Sequence, residues 1–282
     1  MHPAITGAPV SRPDPDSYAV TAEFYDILQA DRDAARVREL YGRHVARARL
    51  GVLDIGAGTG RVTLMSLAES AVDVHAVEPA RAMRTSLLTR LATLPARQRE
   101  RVTVHPYALD EAALYAAADV AVCHNTVACL PPAARDGLWP AIHAALAPGG
   151  TLLLEPPPTL LPLRDVVRRL PEQRVGAHVY GGRMTMSAAG YRIRTRVDYW
   201  VRSGRHVLRE HTESFWMWPA SRTRLTDDLA RHGFVPTPGH DDPRVLAVTR
   251  PARRRTGGRR TPGARCRVGP VPRCHNACRR PV

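Results

Sequence analysis

The sequence predicts an α/β fold: an open, mostly parallel sheet with an antiparallel hairpin inserted late in the chain. Three observations carry that prediction. Short apolar strands alternate with amphipathic helical segments between residues 51 and 155. The first of these strands runs straight into Gly56, Gly58 and Gly60, glycines at every second position. Past residue 159 the pattern changes to strict alternation, with Tyr191, Ile193, Thr195, Val197 and Tyr199 set against Arg192, Arg194, Arg196 and Asp198.

The elements follow in order. Residues 1–17 are rich in Pro, Ser and Asp and read as a flexible N-terminus. Val20, Phe24 and Leu28 recur every four residues and make one helix face, with Tyr25 beside it. Residues 31–48 continue helical, turning Leu40, Tyr41 and Val45 inward. Strand one is Gly51–Ile55, followed by a helix carrying Val62, Leu64 and Leu67. Strand two, Val72–Val77, delivers Glu78 to its end, and Ala80–Leu94 is the next helix. Strands three and four are Arg101–Pro106 and Asp119–Cys123. A helix packing through Leu138, Ile142 and Leu146 is stopped by Pro148-Gly149-Gly150. Strand five, Thr151–Glu155, is apolar on consecutive positions, as a strand covered on both faces should be, and three prolines end it.

The insertion, residues 159–218, reads as an Arg-rich helical piece over Leu163–Leu170, a Gly-rich loop, and then a hairpin. Ser203-Gly204 makes its turn and His206–Phe215 returns. This piece does not belong to a parallel core and is expected to act as a lid over one end of the sheet. A helix with Leu225 and Leu229 and a last strand, Arg244–Thr249, resume the core. The expectation is one domain over residues 18–250 and a disordered basic tail over 251–282.

The formal net charge of +15 suggests a nucleic-acid partner until the charge is located. Residues 251–282 hold ten arginines and no acid, so the rest of the chain is only mildly basic. Nucleic acid is therefore suggested weakly, and only by the tail. No apolar run is long enough to cross a membrane, and no basic-then-apolar leader opens the chain, so a cytoplasmic protein is expected. Cys123 and Cys129 read as ordinary small residues near a strand end. Cys266, Cys274, His275 and Cys278 match no usual zinc spacing, and no metal is expected.

The glycine run points to a cofactor. Read from Gly56, the position that a dinucleotide fingerprint wants as glycine is Arg61. A tight loop after a carboxylate at Asp54 suits a ligand with an amino-acid end rather than a pyrophosphate, which favours S-adenosylmethionine over NAD. Glycines at 56, 58 and 60 let backbone approach the ligand, and amides at the following helix start attract its carboxylate. A carboxylate at Glu78 can accept both hydroxyls of a ribose, and one at Asp110 can accept an adenine amine or cap a short helix.

These residues together resemble the class I S-adenosylmethionine-dependent methyltransferases over about residues 18–250. Asp54-x-Gly56-x-Gly58-x-Gly60 resembles the family's first motif, Leu109-Asp110 its segment after strand three, and Asp119–Pro131 its fourth strand and following loop. Pro148–Glu155 resembles its fifth-strand signature. The resemblance implies a Rossmann-like seven-stranded sheet whose last strand is antiparallel. It implies a cofactor site of Tyr25, Asp54, Gly56, Ala57, Gly58, Gly60, Glu78, Pro79, Leu109, Asp110, His124 and Asn125. Tyr18 and Tyr25 lie in an N-terminal segment of the kind that closes over the cofactor.

Methyl transfer from a sulfonium needs alignment and exclusion of water more than covalent help. His124 as a base and Glu155 as an orienting acid are the candidate catalytic residues, both at strand ends. Trp216 and Trp218 are candidates to stack on a substrate or to pack the lid. The run after strand four lacks the Asn/Asp-Pro-Pro-Tyr signature, which counts against base methylation. The expected acceptor is an amine or hydroxyl of a small molecule or short peptide, in bacterial secondary metabolism or peptide maturation. A nucleic-acid methyltransferase or binding protein using the tail is the alternative, and the oligomeric state is left open.

Overall fold

A computed structural model of the 282-residue chain describes residues 18–239 and 242–252. The expectations for residues 1–17 and for the basic tail, including its cysteines, lie outside the described residues. A 25-residue helix, α1 (Thr21–Val45), opens the fold. Then come β1 (Gly51–Ile55), α2 (Arg61–Glu69), β2 (Asp73–Val77), α3 (Arg81–Ala92), the single turn α4 (Ala96–Arg99), β3 (Val102–His105) and β4 (Ala118–Cys123). A 3-10 turn at Val127–Cys129 leads to α5 (Pro132–Ala145) and β5 (Leu146–Leu154).

The sheet has the order β3-β2-β1-β4-β5 on this side, all parallel. It is completed by β12 (Leu246–Thr249), antiparallel to β5, and by the two-residue β11 (Val235–Pro236), antiparallel to β12. Seven strands result, mostly parallel, as the sequence implied. Because β2 and β4 lie on opposite sides of β1, the chain reverses its winding there. That switch point is where an open α/β sheet leaves a crevice beyond its strand ends.

β1 shows why these residues make a central strand: all five positions are buried. Val52 packs with Val74, Val62 and Leu87 under α1, whereas Leu53 and Ile55 pack with Trp139, Ile142 and Leu225 on the other face. Between α1 and β1, Asp119 accepts the amides of Arg49, Leu50 and Gly51 at 2.8, 3.0 and 3.1 Å, which fixes where the helix hands over to the sheet.

The insertion departs from expectation. It is a five-stranded antiparallel sheet rather than a hairpin: β6 (Val166–Arg169), β7 (Gln173–Val175), β8 (His178–Ala189), β9 (Arg192–Ser203) and β10 (His206–Met217). The expected helix over 163–170 is strand β6, paired from Val166↔Met186 to Arg169↔Arg183. Two adjacent β-branched residues, Val166 and Val167, and an open strand edge on β8 override a weak helical pattern. The expected Gly-rich loop falls mostly in β8. Gly181 is there because a Cβ would lie 2.4 Å from Trp200 Nε1, so the indole of the neighbouring strand lies across it. A smaller correction concerns Pro148-Gly149-Gly150. α5 already ends at Ala145, and the three residues lie in a bulge of β5, between the pairs Leu146↔Ala118 and Thr151↔Val120.

The antiparallel sheet roofs the first half of α1. Phe24 and Leu28 pack on Val197, Tyr199 and Val201, with the Phe24 and Tyr199 rings stacked at 4.6 Å. The α1 N-terminus lacks a side-chain cap of its own, and Glu213 of β10 accepts the Thr21 amide at 2.8 Å instead. At the far end of the roof, Trp218 donates its amide to Ala128 at 2.8 Å. The buried Arg135 holds the carbonyls of Val127 and Trp218 at 3.0 and 2.6 Å, tying the insertion to the loop after β4.

Candidate active site

The three glycines after β1 do different jobs. All have left-handed backbone, with φ of 70° at Gly56, 56° at Gly58 and 93° at Gly60. A Cβ on Gly56 would lie 2.3 Å from Thr126 Oγ1, and one on Gly60 would lie 2.5 Å from Leu87 Cδ1. Those two are packing glycines. A Cβ on Gly58 would meet nothing nearer than 4.0 Å, so Gly58 alone opens onto free space. The loop's own amides are spent inside the protein: Gly56 and Ala57 donate to Val77 O, Gly60 donates to Ala57 O, and Gly58 donates to Glu78 Oε2 at 2.7 Å. The loop therefore admits a ligand by shape at Gly58 rather than by offering those amides.

Glu78, buried at the end of β2, uses one oxygen toward Gly58 and the other toward the Ala80 amide, each at 2.7 Å. Each oxygen keeps a lone pair, the arrangement that two vicinal hydroxyls require. Burial raises its pKa, and the Gly58 and Ala80 amides and Arg84 oppose the rise. Arg84 also caps the Glu78 and Pro79 carbonyls at 2.7 and 2.9 Å, which holds the strand end in place. Leu109 is buried, and Asp110 lies exposed on a turn where it caps no helix.

Asp54 does something else. It is fully buried and accepts the Thr63 hydroxyl at 2.5 Å, bracing the first turn of α2 against β1. Burial pushes its pKa up to about 7, against the opposing hydrogen bonds from Thr63. The folded state thus holds a proton that the unfolded state has released above its ordinary value of 3.8. By linkage, stability falls as pH rises from about 4 to about 7. Glu78, raised too, acts in the same direction. Asp54→Asn should flatten that slope, measured as urea midpoints on either side of the window; an unchanged slope would refute the assignment.

At the end of β4, His124 and Asn125 are held tightly. Asn125 has left-handed backbone with φ of 54°, a conformation few non-glycine residues adopt. His124 is buried, with Nδ1 3.2 Å from both the Tyr41 hydroxyl and Glu155 Oε2, and Nε2 3.2 Å from the Asn125 amide nitrogen. Burial lowers its pKa, against the pull of Glu155 and Asp33, so the ring is neutral. A carboxylate beside Nδ1 favours the tautomer protonated there, and the Nε2 lone pair then accepts from Asn125 Nδ2. Glu155, which follows β5, is also paired with Arg36 of α1.

α1 closes the site from above. Tyr25 hydrogen-bonds the side chains of Asp33 and Asn125, and burial drives its phenol pKa up. Tyr18 is half-buried beside Cys129 and meets Phe215 at 6.0 Å between ring centres. Asp26 accepts the Thr59 hydroxyl and Arg61 Nη2, each at 2.7 Å, and pairs with Arg90, so one carboxylate latches α1 to the glycine loop and to α3. Sequence reading missed Asp26, Asp33 and Arg36. Their spacing is a signal, since i, i+7 and i+10 share one helix face. Trp216 goes elsewhere: it lies on the outer face of the roof under the Arg192 guanidinium, 3.6 Å from the ring centre. Asp26→Asn keeps the shape and removes the charge, and should speed cofactor dissociation by roughly tenfold. Stopped-flow release of a fluorescent cofactor analogue would check it; an unchanged off-rate would remove the latch.

The glycine loop, Glu78 and His124 thus converge at the switch point from three different strand ends. Residues 53–152 match the family model described as a methyltransferase domain. That match runs from β1 into β5. No curated protein matches it in sequence. Among solved structures it is similar to CalS10, an amino pentose methyltransferase from Micromonospora echinaspora involved in calicheamicin biosynthesis. That match has 22% identity and a TM-score of 0.57, over 85% of this chain and 98% of that one. It is also similar to the CcbJ methyltransferase from Streptomyces caelestis, with 18% identity and a TM-score of 0.64, over 85% and 100% of the two chains. The sugar N-methyltransferase KedS8 from Streptoalloteichus has 18% identity and a TM-score of 0.58, over 89% and 100%. These likenesses show that the chain shares the fold of those methyltransferases beyond the matched segment. No helix among the described residues is long and apolar enough to cross a membrane.

Proposed function

We propose that the protein transfers a methyl group from S-adenosylmethionine to an amine of a small, sugar-like or short peptide acceptor in a biosynthetic pathway. The observation that carries this reading is the placement of the neutral His124, backed by Glu155 and Tyr41, at the end of β4 beside β1, whose own end carries the loop in which Gly58 opens onto free space. CalS10 is named an amino pentose methyltransferase and KedS8 a sugar N-methyltransferase, which supports the amine over the hydroxyl.

The residues present fit the cofactor. Gly58 leaves room where a side chain would stand, Glu78 offers two oxygens at ribose height, and Leu109 supplies an apolar wall. When bound, the cofactor supplies an electrophilic methyl group. The chain does the rest. An amine attacks only when neutral, and most amines arrive protonated at neutral pH. His124 Nε2 takes that proton once the acceptor has displaced the Asn125 amide from it, while Glu155 and Tyr41 hold the ring by its other nitrogen. α1 and the antiparallel roof of residues 159–218 act as the lid, keeping water from the aligned nucleophile.

Calorimetric titration with S-adenosylhomocysteine, with NAD alongside, tests the reading. Micromolar affinity for S-adenosylhomocysteine alone is expected, followed by a mass gain of one methyl on an amine acceptor. Binding of NAD instead would overturn it.

A further inference from the structure

We infer that the buried Asp33 carboxylate of α1 is a binding site for an alkylammonium group in the cleft. The inference rests on the methyl-transfer reading of that cleft and adds a recognition element to it. Asp33 is 7% exposed, and among the described residues its Oδ2 is buried with no hydrogen-bond partner. A buried carboxylate oxygen left unpaired is costly and is kept only where something compensates it.

Its neighbours place it. Tyr25 joins Asp33 to Asn125, the residue next to His124, and the Asp33 charge acts on the His124 ring. Asp33 therefore lies near the carboxyl end of β4, beside Asn125 and His124. The cations that might neutralise it are committed elsewhere. Arg36, one turn along α1, pairs with Glu155, and Arg61 across the loop pairs with Asp26. His124 is held neutral. Among the described residues, Asp33 thus keeps a carboxylate oxygen without a partner at this end of the sheet.

The missing partner is a compact cation with several N–H donors. A metal ion does not fit, because among the described residues no group of three His, Cys, Asp or Glu side chains is placed to hold one. An alkylammonium fits: one N–H meets Oδ2 and the others remain for groups nearby. Two sources share this chemistry, the amino-acid end of the cofactor and the protonated amine of the acceptor.

The test compares wild-type protein with Asp33→Asn, which keeps the size and the contact with Tyr25. Both are titrated with S-adenosylhomocysteine and with its deamino analogue, and scored for methyl gain on a panel of amino sugars. Because Oδ2 makes no hydrogen bond in the protein, Asp33→Asn should melt at or above the wild-type temperature. If the cofactor is the source, the variant loses about tenfold or more in affinity for S-adenosylhomocysteine and none for the deamino analogue. If the acceptor is the source, cofactor affinity is unchanged and methyl gain on the amines falls by a similar factor. Equal binding of both ligands with no difference in methyl gain would overturn the inference, as would a loss of binding that merely follows a lowered melting temperature. Wild-type protein that binds no S-adenosylhomocysteine would instead sink the methyl-transfer reading, and the inference with it.

Discussion

Gly58→Val abolishes measurable binding of S-adenosylhomocysteine while the protein still folds. Both halves of this expectation come from the contrast among the three glycines. At Gly56 and Gly60 a side chain would collide with Thr126 and Leu87, so a substitution there disturbs packing before it disturbs any ligand. At Gly58 the nearest atom to an added Cβ is 4.0 Å away, so the valine lands in the space the ligand needs. The cost to folding is backbone strain alone, because φ is 56°; about 1–2 kcal/mol is typical for a residue with a Cβ in that conformation. Calorimetry reads the first effect and a thermal melt the second. A folded variant with wild-type affinity would move the cofactor site elsewhere.

His124→Ala should lower kcat by about a hundredfold or more, the usual scale for removing a positioned base, while leaving affinity for S-adenosylhomocysteine unchanged. The ring reaches the cleft from the end of β4 and is held on its Nδ1 side by Tyr41 and Glu155. Its pKa is lowered by burial, so activity should rise through a limb below the ordinary histidine value of 6.5. Glu155→Gln weakens the support at Nδ1 and should shift that limb lower still, since Glu155 is what opposes the burial effect. Steady-state pH profiles of the three proteins check both points. Loss of cofactor affinity in step with kcat would make His124 a structural residue.

The parallel core was legible because its signals are local. Gly51–Ile55 is apolar at every position, and only a strand covered on both faces tolerates that. Glu78 and His124 could be placed because strand ends in such a sheet gather at one edge. The roof was half legible: β9 alternates cleanly, but β8 is interrupted by Gly181 and Gly182, whose role depends on Trp200 and Tyr199 one strand away. No pattern within β8 itself carries that information. Asp54 illustrates a different limit. Its place in the motif suggested a ligand, whereas its carboxylate faces Thr63, nine residues on, across a turn of helix. The acids of α1 were hidden because a charged residue in a long helix reads as solvated until the surface it lies against is known.

The capping of α1 by Glu213 fixes the order in which this protein can be completed. Thr21 and Glu213 are 192 residues apart, and the ion pair between Glu23 and Arg209 spans nearly as far. The first helix among the described residues waits for the last strand of the roof before its opening turn is satisfied. Until then the latch at Asp26 has no firm rod behind it, and the cleft has no ceiling. A nascent chain truncated before β10 lacks that ceiling, together with Leu225, Leu229 and β12 that pack on the parallel strands, so it should be unable to retain a cofactor.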